Sequence, residues 1–233
     1  MTDKARTSNM TNTPATSTTP VTPPIDFSRP ADEVAPLLLG AVLRHGPVAV
    51  RLTEVEAYLG EEDAASHAFR GPTPRCKVMF GPAGRLYVYA SYGIHRAGNL
   101  VCGPDGVASA VLLRGGYVCD GHAHAHARRR EGIPHEALAR GPGNLGAALG
   151  LDLELNGSVV EQAPVHVPGQ EQVPGAGATS GFTLTPPLKP VEDYACGPRI
   201  GITKNADAPL RFWVPGDKTV SSPRGRPRAP RMR

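Results

Sequence analysis

The chain has 233 residues, of which 40% are hydrophobic, with 27 Gly, 25 Pro and a formal net charge of +4. That length holds one medium domain with a real core, and the Gly and Pro excess points to long irregular segments around it. No apolar window reaches the roughly 18 residues of a membrane span, and the four scattered cysteines (Cys76, Cys102, Cys119 and Cys196) argue against a disulfide framework or a structural zinc site.

The mild basicity is compatible with a polyanionic partner. The polar, Thr-rich start of the chain lacks the apolar segment of a secretory signal. A soluble cytoplasmic protein with reduced thiols is expected.

Residues 1–25 are poor in anything that could be buried and are expected to form a disordered tail. Val34, Leu37, Leu38, Ala41 and Val42 space an apolar stripe that predicts a helix over residues 30–45, stopped by Gly46 and Pro47. A strand follows over residues 48–58. By the two-residue period, Val48, Val50, Leu52, Glu54, Glu56 and Tyr58 share one face. An apolar face that ends in two carboxylates and a tyrosine suits a strand whose far end enters a cleft.

Residues 60–69 carry His67 on a loop or short helical turn, between Gly- and Pro-rich turns at residues 71–74 and 81–84. A strand over residues 85–90 puts Tyr87 and Tyr89 on one face and Leu86, Val88 and Ala90 on the other. Strands over residues 99–102 and 107–114, joined by the Gly-Pro-Asp-Gly turn at residues 103–106, complete an antiparallel meander. The His-Ala alternation at residues 121–130 reads as a flexible loop. Helical segments are expected near residues 135–140 and 144–149. Residues 162–190 read as a mobile insertion, and short strands over residues 199–202 and 210–214 close the sheet. Residues 222–233 form a basic Arg/Pro tail.

Four of the six tyrosines lie between residues 54 and 99, and the candidate chemistry is concentrated there too. Glu54 and Glu56, with Cβ atoms roughly 7 Å apart on one strand face, are close enough for one charge to raise the other's pKa. A partly desolvated carboxylate suits a general base that holds a water; the competing reading is a salt bridge to Arg51 or Arg114. The pattern does not choose between the two glutamates. Tyr58, His67 and Tyr89 suit an aromatic cage around a flat ring, or an ordinary aromatic core with a satisfied histidine.

Tyr92, before Gly93 on a hairpin tip, suits a wedge between base pairs, or a cap on the sheet end. Asn99 is placed to read a ring edge and Arg114 to bind phosphate or orient a carboxylate, although each type is often structural. His122, His124 and His126 would align on a strand, but a flexible loop offers no organised second shell, so no metal site is assigned to them. The C-terminal arginines suit nonspecific phosphate attraction or a solvated end.

The run Glu-Val-Glu-Ala-Tyr-Leu-Gly at residues 54–60, Glu-Asp-Ala-Ala-Ser-His at 62–67, Thr-Pro-Arg at 73–75, Met-Phe-Gly-Pro at 79–82 and Leu-Tyr-Val-Tyr-Ala-Ser-Tyr-Gly at 86–93 resembles the alkyladenine (3-methyladenine) DNA glycosylase family. So do Ala-Val-Leu-Leu-Arg at 110–114, Ala-Arg-Gly-Pro-Gly at 139–143, Pro-Arg-Ile-Gly at 198–201 and Leu-Arg-Phe-Trp-Val at 210–214. The resemblance covers residues 37–221 apart from the insertion. It implies an α+β fold: a single domain over residues 26–221 with a mostly antiparallel, curved β-sheet and flanking helices.

It also implies a monofunctional hydrolase that flips alkylated or deaminated purines, of the 3-methyladenine and hypoxanthine type, out of double-stranded DNA and releases them with water as nucleophile. Carried over by position, Glu56 is the general base, and Arg114 helps place the water or the backbone. Tyr58, His67 and Tyr89 hold the flipped base, Asn99 obstructs the guanine 2-amino group, and Tyr92 is the intercalating wedge. No metal or cofactor is expected, no membrane partner, and a monomer. The segment after Gly93, Ile-His-Arg-Ala-Gly at residues 94–98, departs from the bulky run the family carries there. Two rivals stand beside this reading: a lesion-binding module without catalysis, and a metal-dependent hydrolase built on the histidine segment.

Overall fold

The computed structural model describes residues 23–91, 93–164 and 181–222. Its elements are α1 (Ala31–Val34), β1 (Val42–His45), β2 (Val48–Tyr58), β3 (Leu86–Ser91), β4 (His95–Cys102), β5 (Ser109–Asp120), α2 (His122–Arg128), β6 (Ala139–Arg140), α3 (Pro142–Leu149), β7 (Val160–Gln162), β8 (Phe182–Thr185), β9 (Ala195–Gly197) and β10 (Arg211–Trp213). Ten strands form one sheet in the order β3-β4-β5-β2-β1-β8-β7, with β10 joining β2 to β9 and β6 pairing with β5. Every pairing is antiparallel except β7 with β8. The expected α+β fold with a mostly antiparallel sheet is what forms. Among the described residues, no helix is long and apolar enough to cross a membrane.

β2 is the spine of this sheet, and it breaks the simple period. Val48, Val50 and Leu52 enter the main core, but so do Val55 and Ala57. Register shifts against β5 between Leu52 and Glu54, and again between Glu54 and Val55, change which parity faces inward. Such a bulge bends the strand and re-aims its side chains. The expectation that Val48 to Leu52 and Glu54 to Tyr58 share one face is therefore corrected, because the two-residue rule assumes an unbroken ladder. The carboxylates turn away from the core that the first half of the strand enters. Two glycines of β5 let the chains approach here. A Cβ on Gly116 would lie 2.4 Å from Val50 Cγ1, and one on Gly115 would lie 2.8 Å from the Thr219 carbonyl.

The helix expected over residues 30–45 is only α1 and one 3-10 turn, Ala35–Leu38. Gly40, at φ +81°, turns the chain, and residues 42–45 pair with both β2 and β8. Two-sided strand pairing outweighs the apolar spacing that suggested a helix. The reverse holds for the His-Ala segment, which is the helix α2 rather than a loop: alanine favours helix strongly, and Ala125 is buried in the main core.

Within the expected insertion, Phe182–Thr185 forms β8, and Phe182 stacks on His45 at 4.2 Å between ring centroids. Gln162, its other edge, exchanges two 2.7 Å hydrogen bonds with the backbone of Ile25, which is itself a core residue. Residues 165–180, most of the N-terminal tail and the Arg-rich C-terminal tail lie outside the described residues. The strand expected over residues 199–202 does not form; β9 is Ala195–Gly197, and the chain beyond it leaves the sheet for the site described next.

Candidate active site

β3 is a strand with two apolar sides, and the side carrying Tyr87 and Tyr89 faces a second, smaller core with Ala68, Cys76, Met79 and Val101. The two tyrosine rings stack at 5.6 Å. His67, on the loop after β2, meets Tyr89 edge to face at 4.6 Å, and its Nδ1 lies 3.0 Å from the Tyr87 hydroxyl. Arg75 lies over the Tyr89 ring at 5.2 Å. Burial and then Arg75 lower the His67 pKa to about 4, and burial raises that of Tyr87 to about 12. Both groups are neutral at neutral pH.

Tyr58, the last residue of β2, forms another wall. The guanidinium of Arg199 lies 4.5 Å from its ring centroid, and Arg199 is buried in a two-point ion pair with Asp63. Tyr58, His67, Tyr87 and Tyr89 all line one cleft of about 470 Å³, with Asn99, Arg114 and residues 200–202. That volume falls within the roughly 300–1,000 Å³ of small-ligand sites. His67 and Tyr89 touch each other, so a flat ring has no room between them, and Tyr58 lines the same cleft. Asn99 is held by a 3.0 Å bond from its Nδ2 to the Tyr87 carbonyl.

Behind these walls sit the two glutamates, both fully buried. A carboxylate offers about four acceptor positions. Glu54 takes four protein donors, three of them on one oxygen. Its Oε1 accepts from Arg114 Nε at 3.0 Å, Arg211 Nε at 2.7 Å and the Ser221 hydroxyl at 2.7 Å, and its Oε2 from the Ser221 N–H at 2.7 Å. Burial raises its pKa, but Arg114, Arg211 and Ser221 more than offset this and hold it below the ordinary value.

Glu56 differs. Its Oε1 accepts from the Ile200 N–H at 2.7 Å and lies 3.3 Å from Arg114 Nη1, while among the described residues its Oε2 accepts only from the Tyr58 hydroxyl at 3.0 Å. Three donors thus meet four positions. Its pKa is raised, first by burial, against the opposing pull of Arg114, Ile200 and Tyr58. Burial also raises the Tyr58 pKa, so that hydroxyl stays protonated. Three residues that bond Glu56 (Tyr58, Arg114 and Ile200) themselves line the cleft.

Against this arrangement, residues 25–218 match the methylpurine-DNA glycosylase family. The chain belongs to that family. A protein of Corynebacterium jeikeium is 66% identical over 206 residues, covering 87% of this chain and 92% of its own length. One of Cutibacterium acnes is 56% identical over 200 residues, covering 86% and 99%. One of Frankia casuarinae is 51% identical over 208 residues, covering 89% and 95%. Each has the words 3-methyladenine DNA glycosylase in its name. The family's enzymes hydrolyse the N-glycosidic bonds of damaged bases.

In this glycosylase, Glu56, Tyr58, His67, Tyr89, Asn99 and Arg114, all singled out in the sequence, converge on one cleft or directly behind it. Tyr92, the expected wedge, lies outside the described residues. Arg51 does not pair with either glutamate; it lies 5.6 Å from the Tyr117 ring. The histidines of α2 do not line the cleft. His122 and His126 meet His135 at ring distances of 4.7 and 5.1 Å, and among the described residues no three His, Cys, Asp or Glu are arranged to hold a metal.

Several site residues escaped the sequence reading. Arg199, Ile200 and Arg211 lie in motifs that carried the resemblance, but no role followed from the pattern. One signal was available for Arg211: a charged residue inside the apolar run Leu-Arg-Phe-Trp-Val requires a buried partner. Ser221 gave none, since its role depends on where the chain returns.

Proposed function

We propose that this chain releases alkylated purines from double-stranded DNA by direct hydrolysis, with Glu56 as the base that activates water. The observation that carries the reading is the difference between the two buried carboxylates. Glu54 takes four protein donors, two of them arginines, and its pKa is lowered, whereas Glu56 takes three and its pKa is raised. The water is assigned to Glu56 Oε2, whose one protein donor among the described residues is the cleft-lining Tyr58.

The damaged base turns out of the duplex and stacks between Tyr58 and the edge-to-face pair of His67 and Tyr89. Cleavage of the glycosidic bond leaves positive charge on the sugar. The Glu56 carboxylate stabilises that charge while its water, losing a proton to the carboxylate, attacks the anomeric carbon. Arg114 keeps Glu56 oriented, and Asn99 borders the base where a guanine 2-amino group would crowd it. Tyr92 fills the space the base leaves. The cleft-lining residues include no lysine, which fits water rather than an amine as nucleophile.

Methylated purines carry positive charge and leave without further protonation. Hypoxanthine is neutral and needs a proton. His67 and Tyr87 are both held in uncharged forms, which favours the cationic substrates. The test is release of methylpurines from methylated duplex DNA in the presence of EDTA, with abasic sites scored by alkali. Activity in EDTA that disappears in Glu56→Gln supports the proposal. Tight lesion binding without release in the wild type would instead identify a binding module.

A further inference from the structure

Glu54 is a fully buried acid that the proposed chemistry does not use, yet four protein donors converge on it. Arg114 bridges the two glutamates. Its Nε is bound by Glu54 at 3.0 Å, its Nη1 stands 3.3 Å from Glu56, and its Nη2 reaches the Ser221 hydroxyl at 3.5 Å. Glu54 is itself fixed from outside, by Arg211 from β10 and by both the N–H and hydroxyl of Ser221.

The Ser221 segment is clamped in turn. The Thr219 hydroxyl lies 2.7 Å from that of Thr53, and Arg211 Nη2 donates to the Ser221 carbonyl at 3.1 Å. Gly115 makes room for it, since any Cβ there would collide with the Thr219 carbonyl at 2.8 Å and crowd Glu54 Oε2 at 3.2 Å.

A guanidinium meets a carboxylate in two-point fashion through its Nε edge or through its Nη1/Nη2 edge. In Arg114 the Nε is taken by Glu54 and Nη2 is turned to the Ser221 hydroxyl, which leaves Nη1 alone for Glu56. We propose that Glu54 is a positioning residue: it takes the Nε edge of Arg114, limits Arg114 to a single long contact with Glu56, and so leaves a Glu56 oxygen for water. Ser221 and Arg211 set how strongly Glu54 draws Arg114 away. The inference rests on Glu56 being the base.

The charged and titratable groups facing the pair are Tyr58 from β2, Arg114 from β5, Arg211 from β10, and Arg199 from the loop that follows β9. Opposite perturbations of Glu54 should therefore shift Glu56 in opposite directions. Removing the Glu54 charge in Glu54→Gln frees Arg114 to grip Glu56 and removes a like charge beside it. Both effects favour ionised Glu56. Ser221→Ala takes a 2.7 Å donor from Glu54 but only a 3.5 Å contact from Arg114, so its main effect is that Glu54 leans harder on Arg114, which disfavours ionised Glu56.

The experiment measures single-turnover release of methylpurines from methylated duplex DNA by the full chain, as a function of pH, for the wild type, Glu54→Gln, Ser221→Ala and Glu56→Gln. In Glu54→Gln the acid limb should move down by about one pH unit, a tenfold change in the ionised fraction, with a lower plateau rate and unchanged lesion affinity. In Ser221→Ala the limb should move up. A limb that stays at the wild-type pH in both variants overturns the proposal, even if their rates fall. If Glu54→Gln fails to fold, Ser221→Ala decides alone. Full activity in Glu56→Gln would instead overturn the assignment of the base, which is a separate outcome.

Discussion

Glu56→Gln isolates the base from the scaffold because it keeps the side chain's shape and removes its charge. In the wild type three donors converge on this carboxylate: the Ile200 N–H at 2.7 Å, the Tyr58 hydroxyl at 3.0 Å and Arg114 Nη1 at 3.3 Å. A glutamine oxygen can keep Ile200 and Arg114, while its amino group faces Tyr58, whose hydroxyl can turn to accept. Arg114 retains Glu54. Burial already disfavours the Glu56 charge, so losing it removes an unfavourable contribution along with the favourable contacts. The variant should therefore fold, with a melting temperature near that of the wild type.

What it loses is proton transfer and the charge opposite the developing cation. A positioned general base contributes about 10²- to 10⁴-fold, or roughly 3–5 kcal/mol of barrier at 1.36 kcal/mol per factor of ten. The assay is single-turnover release from methylated duplex with EDTA present and enzyme in excess, so that binding and product release do not limit the rate. The wild-type acid limb should lie above the ordinary glutamate value of 4.5, because burial raises the Glu56 pKa and activity needs the ionised form. A Glu56→Gln rate within tenfold of the wild type, or a limb that survives in the variant, would refute the reasoning.

Asp63→Asn strands the buried Arg199 charge, which should cost about 3–5 kcal/mol of stability and loosen the ring of Tyr58 above it. The Asp63 pKa is lowered: burial opposes this, but the bonds from Arg199, Asn205 and Ala65 prevail. The native state therefore holds fewer protons than the unfolded one. Its contribution is complete above the ordinary value of 3.8 and is lost as pH falls through the lowered one. Thermal melts across acid pH should show a shallower acid decline in the variant, and parallel declines would contradict the pairing. Tyr89→Ala removes one stacking face, worth about 1–3 kcal/mol per base, and should weaken lesion-duplex binding while leaving undamaged-duplex binding in place; equal affinities would remove Tyr89 from the base site. Tyr92→Ala should weaken lesion-duplex affinity measured by fluorescence anisotropy, and unchanged affinity would count against the wedge.

The parts of this site that were legible in the sequence are those made by neighbouring residues. Alternation in β3 correctly separated Tyr87 and Tyr89 from Leu86 and Val88, because that ladder runs unbroken against β4 from Leu86 to Ser91. The parts that were not legible depend on returns of the chain over long separations. Ser221 meets Glu54 across 167 residues, Arg211 meets it across 157, and Ile200 meets Glu56 across 144. No local period encodes such partners, and without them the two glutamates look alike.

The bulge in β2 joins the two cases. Periodicity placed both carboxylates correctly relative to each other but on the wrong side relative to Val48, Val50 and Leu52. An unbroken strand would have to choose between burying Val55 and Ala57 and burying the acids. The register shifts at Glu54 allow both: Val55 and Ala57 continue the core, while Glu54 and Glu56 enter a second, polar interior lined by Arg114 and Arg211. The irregularity that defeats the two-residue rule is thus the feature that buries Glu56 directly behind Tyr58, Arg114 and Ile200 of the cleft wall, where the proposed base has to stand.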